Sequence, residues 1–134
     1  MKFTIEGAPR TKKNGMRIVK TRSRARLIQS RAAMKWADDA ILQLRSQLHR
    51  TVTHIDYKRG IVAAGGTTIT PQNMRAVVYR DRAVGDLLNF LAAISDALER
   101  AGVVSDDKLI VSVDGSRLAL DRKRPRVEIE LLPA

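Results

Sequence analysis

The chain has 134 residues, 44% of them hydrophobic and 29% charged, the make-up of one folded domain and not of a disordered tail. With no cysteine it carries no disulfide scaffold, cysteine-ligated zinc, iron–sulfur cluster or thiol nucleophile, and the cytoplasm is the expected compartment. Neither a secretory leader nor a membrane span is expected, and the net charge of +11 points to a polyanionic partner.

Phe3 and Ile5 alternate with polar neighbours as a short strand, which Gly7-Ala8-Pro9-Arg10 turns into a basic loop. Residues 1–35 hold eleven Lys and Arg against Glu6 alone, so nearly all the excess charge sits in this cationic limb, and the remaining 99 residues are close to neutral. Such clustering is the footprint of nucleic-acid binding. None of the five aromatics (Phe3, Trp36, Tyr57, Tyr79, Phe90) lies in the densest basic run, so phosphate contacts are expected before base stacking. The candidate contacts are Lys12, Lys13, Asn14, Arg17, Lys20, Arg22 and Arg24. Lys12 to Arg26 lacks the apolar stripe of a membrane-surface helix, and charge alone would also suit an RNA-binding or ribosome-associated protein.

Extended structure is predicted around Met16-Arg17-Ile18-Val19. From Ser30, a plausible N-cap, Ala33, Trp36, Ala37, Ala40, Ile41, Leu44 and Leu48 recur at helical spacing. Residues 51–73, broken by Gly60 and Gly65-Gly66, read as an irregular hairpin or an insertion without chemistry. His49 and His54, the only histidines, lack metal-ligand spacing and are read as structural or exposed. Met74 to Tyr79 is a predicted strand ending in Arg80-Asp81-Arg82.

Leu87, Phe90, Leu91, Ile94, Leu98 and Ala101 define a second helix, with Asp86 as N-cap and Gly102 at the C′ position. Beyond it come Val103-Val104, the turn Ser105-Asp106-Asp107, a strand through Leu109 to Val113, the turn Asp114-Gly115 and a further stretch, Arg117 to Leu120. The exposed loop Asp121-Arg122-Lys123-Arg124-Pro125 precedes a last strand in which Val127, Ile129 and Leu131 alternate. Together these predict one α/β or α+β domain, with a single mixed sheet of about four strands and two main helices.

The carboxylates bracketing the second helix are the candidates for chemistry. Asp86, Asp106 and Asp107 could hold a hard cation such as Mg²⁺ near a scissile phosphate; equally, Asp86 is an ordinary helix cap and Ser-Asp-Asp an ordinary turn. The helix separates its acidic ends by roughly 22 Å, whereas residues 102–107 reach back at most about 17 Å. Asp86 and Asp107 would therefore meet only through a straight back-track, a bent helix or a second subunit.

The run Gly85-Asp86-Leu87-Leu88-Asn89, followed by Ser95-Asp96-Ala97-Leu98, Ala101-Gly102-Val103-Val104 and Asp106-Asp107, resembles the signature of the RusA family of Holliday junction resolvases, often encoded by phages and prophages. Gly7 to Asn14 and Ser30 to Trp36 are similar to the family's phage branch. The resemblance implies a homodimeric, Mg²⁺-dependent (or Mn²⁺-dependent) endodeoxyribonuclease of DNA recombination and repair, working in the cytoplasm of a bacterial host and nicking two opposed strands of a four-way junction. It places the motif aspartates on Asp86 and Asp107, its asparagine on Asn89 and the neighbouring acid on Asp106. The motif's second aspartate is Leu88 here, and the lysine three residues past the asparagine is Ala92. The two remaining carboxylates can still hold Mg²⁺, which usually keeps several waters, and Asp114 or Asp81 could replace the missing one; the alternative is a chain that keeps junction binding and has lost cleavage.

Overall fold

β1 (Lys2–Glu6) sends Phe3 and Ile5 to one side and Lys2, Thr4 and Glu6 to the other, and the inward pair is buried. The same alternation runs through β6 (Gln72–Arg80) and β9 (Arg126–Pro133), where Met74, Ala76, Val78, Val127, Ile129 and Leu131 all face inward and are buried. Register ties these strands together: Phe3 lies opposite Ile129 in the antiparallel β1–β9 pair, and Val78 opposite Val127 in the antiparallel β9–β6 pair. The computed structural model describes residues 1–11, 16–20, 25–29, 31–51, 61–62 and 67–134.

The other edge of β6 carries two short strands in parallel, β7 (Ile110–Ser112) at its start and β8 (Arg117–Leu120) at its end, with Gln72 opposite Ile110 and Val77 opposite Arg117. The result is one mixed five-stranded sheet in order β1-β9-β6, then β7 and β8, in an α+β fold. The fifth strand arises because the Asp114-Gly115 turn divides one edge into two segments.

Two helices cover the inward face. α1 (Arg31–Thr51) buries the predicted stripe from Ala33 to Leu48, and α2 (Leu87–Arg100) buries Phe90, Leu91, Ile94, Ala97 and Leu98. Two glutamines fasten α1 to the outer edge of β1. Gln47 exchanges hydrogen bonds with the backbone of Thr4 at 2.8 and 2.7 Å, and Gln43 does the same with Glu6 at 2.8 and 3.1 Å. Their amides thus satisfy edge groups that would otherwise be open to another strand.

Departures from the sequence expectation are local. β2 (Met16–Lys20) is the predicted extended stretch, but it pairs with an unforeseen β3 (Ala25–Gln29), so part of the basic limb is an antiparallel hairpin. Ser30 and His54 lie outside the described residues. Within 51–73, Ile61–Val62 (β4) pairs with Thr67–Thr68 (β5), and β6 begins at Gln72, two residues before the apolar alternation does. Leu109 belongs to a 3-10 turn over Asp107–Leu109, so the predicted strand shortens to Ile110–Ser112. No described helix is long and apolar enough to cross a membrane.

On the sheet face away from the helices most cations are paired. Glu130 lies 3.7 Å from Lys2 and 3.4 Å from Arg75, while Arg126 pairs with Glu128 and Asp121 at 3.0 Å and stacks 3.7 Å from the centre of the Tyr79 ring. The Arg10 guanidinium fixes the exit of the limb by donating to both oxygens of Asp81 at 3.1 Å. That bond holds the Asp81 carboxyl below its ordinary value. A lowered folded-state pKa contributes stability that is present above the unfolded value of about 3.9 and is lost as pH falls through the folded one. Asp81→Asn should therefore cost about 1 kcal/mol in denaturant melts near neutral pH, and that cost should vanish near pH 2. An equal cost at both pH values would contradict the pairing.

Candidate active site

At its N-terminal end, α2 is entered through Gly85, at φ +90°, whose carbonyl accepts a hydrogen bond from the Arg80 guanidinium at 3.0 Å. Asp86 follows in extended conformation as the predicted N-cap: its Oδ1 accepts from the Asn89 backbone at 3.0 Å and its Oδ2 from the Asn89 amide at 2.7 Å. The sequence pair Asp86 and Asn89 is thus a physical unit, with an exposed carboxylate oriented by its partner's side chain.

The C-terminal end of α2 closes as a Schellman motif. Val103 N donates to the Leu98 carbonyl and Gly102 N to the Glu99 carbonyl, both at 2.9 Å, with Gly102 at φ +77° as predicted. This turn brings the chain straight back against the last helical turn. There Asp107 N donates to Glu99 Oε2 at 3.0 Å, while Asp106 Oδ1 accepts from Lys108 N at 2.9 Å. Carboxylate oxygens of Glu99, Asp106 and Asp107 all lie within 4.8 Å of one another. The Lys108 backbone N–H, helped by that lysine's charge, holds Asp106 below the usual carboxylate range, which keeps it anionic.

Asp106 and Asp107 were expected together; Glu99 was not. One signal was available, since an acidic side chain in the last turn of a helix opposes the macrodipole and needs another source of stabilisation. Three carboxylates form an oxygen donor set suited to Mg²⁺ or Mn²⁺.

The structure does not unite Asp86 with Asp107. Because Asp107 hydrogen-bonds Glu99, it sits beside the last turn of α2, about 18 Å along the helix from Leu87. The chain turns back only as far as that last helical turn. Asp114 stands elsewhere, on the turn between β7 and β8, where its backbone exchanges hydrogen bonds with the Asn73 amide at 2.9 and 3.3 Å. Asp81 is engaged by Arg10, and the carboxylate cluster found among the described residues includes neither spare acid. Leu88 is 74% exposed and Ala92 is also exposed, so the two positions that depart from the motif both face outward from α2.

Of the candidate DNA contacts, Arg17 and Lys20 lie on β2, with Lys20 exposed, whereas Lys12, Lys13, Asn14, Arg22 and Arg24 lie outside the described residues. The side chain of His49 is likewise not described. The family model for endodeoxyribonuclease RusA matches residues 6–132, nearly the whole chain. No curated protein matches it.

Proposed function

The chain belongs to the RusA family of endodeoxyribonucleases, and from that premise we propose that it resolves four-way DNA junctions by paired nicks, as a homodimer dependent on Mg²⁺ or Mn²⁺. Its place would be DNA recombination and repair in the cytoplasm of a bacterial host. The observation that carries the catalytic part of this reading is the meeting of Glu99, Asp106 and Asp107 at one exposed corner of a basic protein.

In this reading Asp106 and Asp107 hold the cation, with Glu99 bracing Asp107 through its backbone N–H. The ion, when bound, supplies Lewis-acid polarisation of the scissile phosphate. Asp86, fixed by Asn89, provides the further carboxylate. Because it stands at the far end of α2, a site that uses both Asp86 and Asp107 draws them from two chains, which makes the dimer part of the chemistry. Asp114 is a supporting carboxylate on the exposed edge. The basic limb, through Lys12, Lys13, Asn14, Arg17, Lys20, Arg22 and Arg24, grips the phosphate backbone.

A second reading, a junction-binding protein that does not cut, is favoured by Leu88 and Ala92, whose exposed side chains bring neither charge nor metal ligand to the helix surface. A labelled synthetic four-way junction separates the two. The nuclease reading expects symmetric nicks with Mg²⁺ and none with chelator; intact junction bound in a stable complex at saturating Mg²⁺ and Mn²⁺ would promote the second.

A further inference from the structure

We propose that Arg82, Arg122 and Lys123 form a second DNA-contact surface, on the rigid end of the sheet beside Asp86 and separate from the N-terminal limb. The proposal rests on the reading of the protein as a DNA-junction nuclease and adds where the folded body touches the phosphate backbone.

The loop between β8 and β9 sorts its cations. Asp121 accepts hydrogen bonds from Arg124 N at 3.0 Å and Lys123 N at 3.2 Å, a compact turn that holds the loop in one shape. Those donors, with the Arg126 guanidinium, keep the Asp121 carboxyl below its ordinary value. Arg124 turns back to pair with Glu6, and Arg126 is taken by Glu128 and Asp121. Arg122 and Lys123 point away from all of this: both are exposed, and among the described residues no carboxylate lies within ion-pair distance of either. Arg82 is exposed too and within ion-pair distance of no carboxylate among the described residues, although its charge reaches neighbouring Asp81, which Arg10 binds.

Arg80 links this loop to the candidate site. Its carbonyl accepts from Asp121 N at 2.9 Å while its guanidinium donates to the carbonyl of Gly85, the residue before Asp86. The unpaired cations and the motif aspartate therefore flank one residue of the central strand. The limb leaves the body at the same end, through Arg10. On the sheet face away from the helices Lys2, Arg75 and Arg126 are engaged by Glu130, Glu128 and Asp121, which leaves Arg117 as its exposed cation outside an ion pair among the described residues. Unmatched cations on a fixed loop favour a polyanion with regularly spaced charges, and their place beside Asp86 favours the strand to be cut.

The test is binding of a labelled four-way junction and a matching duplex, in chelator, across a salt series. Arg122→Ala/Lys123→Ala should weaken both by on the order of tenfold near ~0.1 M salt and reduce the salt slope by about 1.8, close to 0.9 for each lost phosphate contact. Lys2→Ala/Arg75→Ala removes the same net charge from two cations that are paired with Glu130 and should leave the slope near that of the unmodified protein. Equal losses in the two double variants would overturn the proposal, because the effect would then be bulk charge. Undiminished affinity and slope for Arg122→Ala/Lys123→Ala, with tight binding by the unmodified protein, would overturn it while leaving the nuclease reading standing. Failure of the unmodified protein to bind either DNA would overturn that reading and this proposal with it.

Discussion

Asp86→Asn and Asp107→Asn should each lower junction nicking by about 10³-fold or more while leaving folding and junction binding in place. Each replacement keeps the backbone bond of its turn and removes the charge; at position 86 the Oδ2 acceptor for the Asn89 side-chain amide is lost with it. Asparagine at position 86 remains a good helix cap, able to accept from Asn89 N as Asp86 Oδ1 does. At position 107 the bond to Glu99 uses the backbone N–H, which the substitution does not touch. Glu99→Gln should fall in the same direction if the third carboxylate takes part in holding the cation. Nicking rates under single turnover, beside anisotropy titrations in chelator, separate lost chemistry from lost binding. Unchanged nicking in Asp107→Asn would remove the basis of the site.

The largest stability effect is expected at the middle of the core. Leu98 is fully buried on α2 among residues from both helices and the sheet, and truncating it to alanine deletes those contacts without disturbing the Schellman turn, which uses only its carbonyl. Leu98→Ala should cost about 3 kcal/mol and lower the melting temperature by about 10 °C. Leu42, on the outer face of α1, is exposed, and Leu42→Ala should stay within about 0.5 kcal/mol of the unmodified chain. Comparable losses at the two positions would contradict the placement of the helices on the sheet.

Legibility followed the range of the interactions. α2 could be read almost residue by residue, because its apolar period, its Asp86 cap and its Gly102 terminator are all encoded within a few residues of the feature they produce. β1 and β9 were equally plain, since each buries one face and so alternates. β3 was not, because Leu27 and Ile28 are adjacent and break the alternation. The break at Asp114-Gly115 was legible, but that β7 and β8 both lie parallel on one edge of β6 depends on pairing with a strand more than 35 residues earlier, which no local pattern announces.

The candidate site divides in the same way. Asp86, Asn89, Asp106 and Asp107 stood out by local motif, and the separation of the two ends followed from helical rise alone. Glu99 joins Asp106 and Asp107 only through the turn that folds the chain back on α2. Which cations of the 121–125 loop are free could not be read in advance, because it depends on Glu6, a residue more than a hundred positions away.

In the proposed dimer one functional site is built from opposite ends of α2 in two chains. Its most direct test mixes Asp86→Asn and Asp107→Asn proteins, exchanged through a denaturation and refolding cycle, and measures nicking of a four-way junction. A mixed dimer should regain one intact site, so the mixture should cut one strand per junction while neither parent cuts. A mixture that exchanges fully yet remains as inactive as its parents would contradict it.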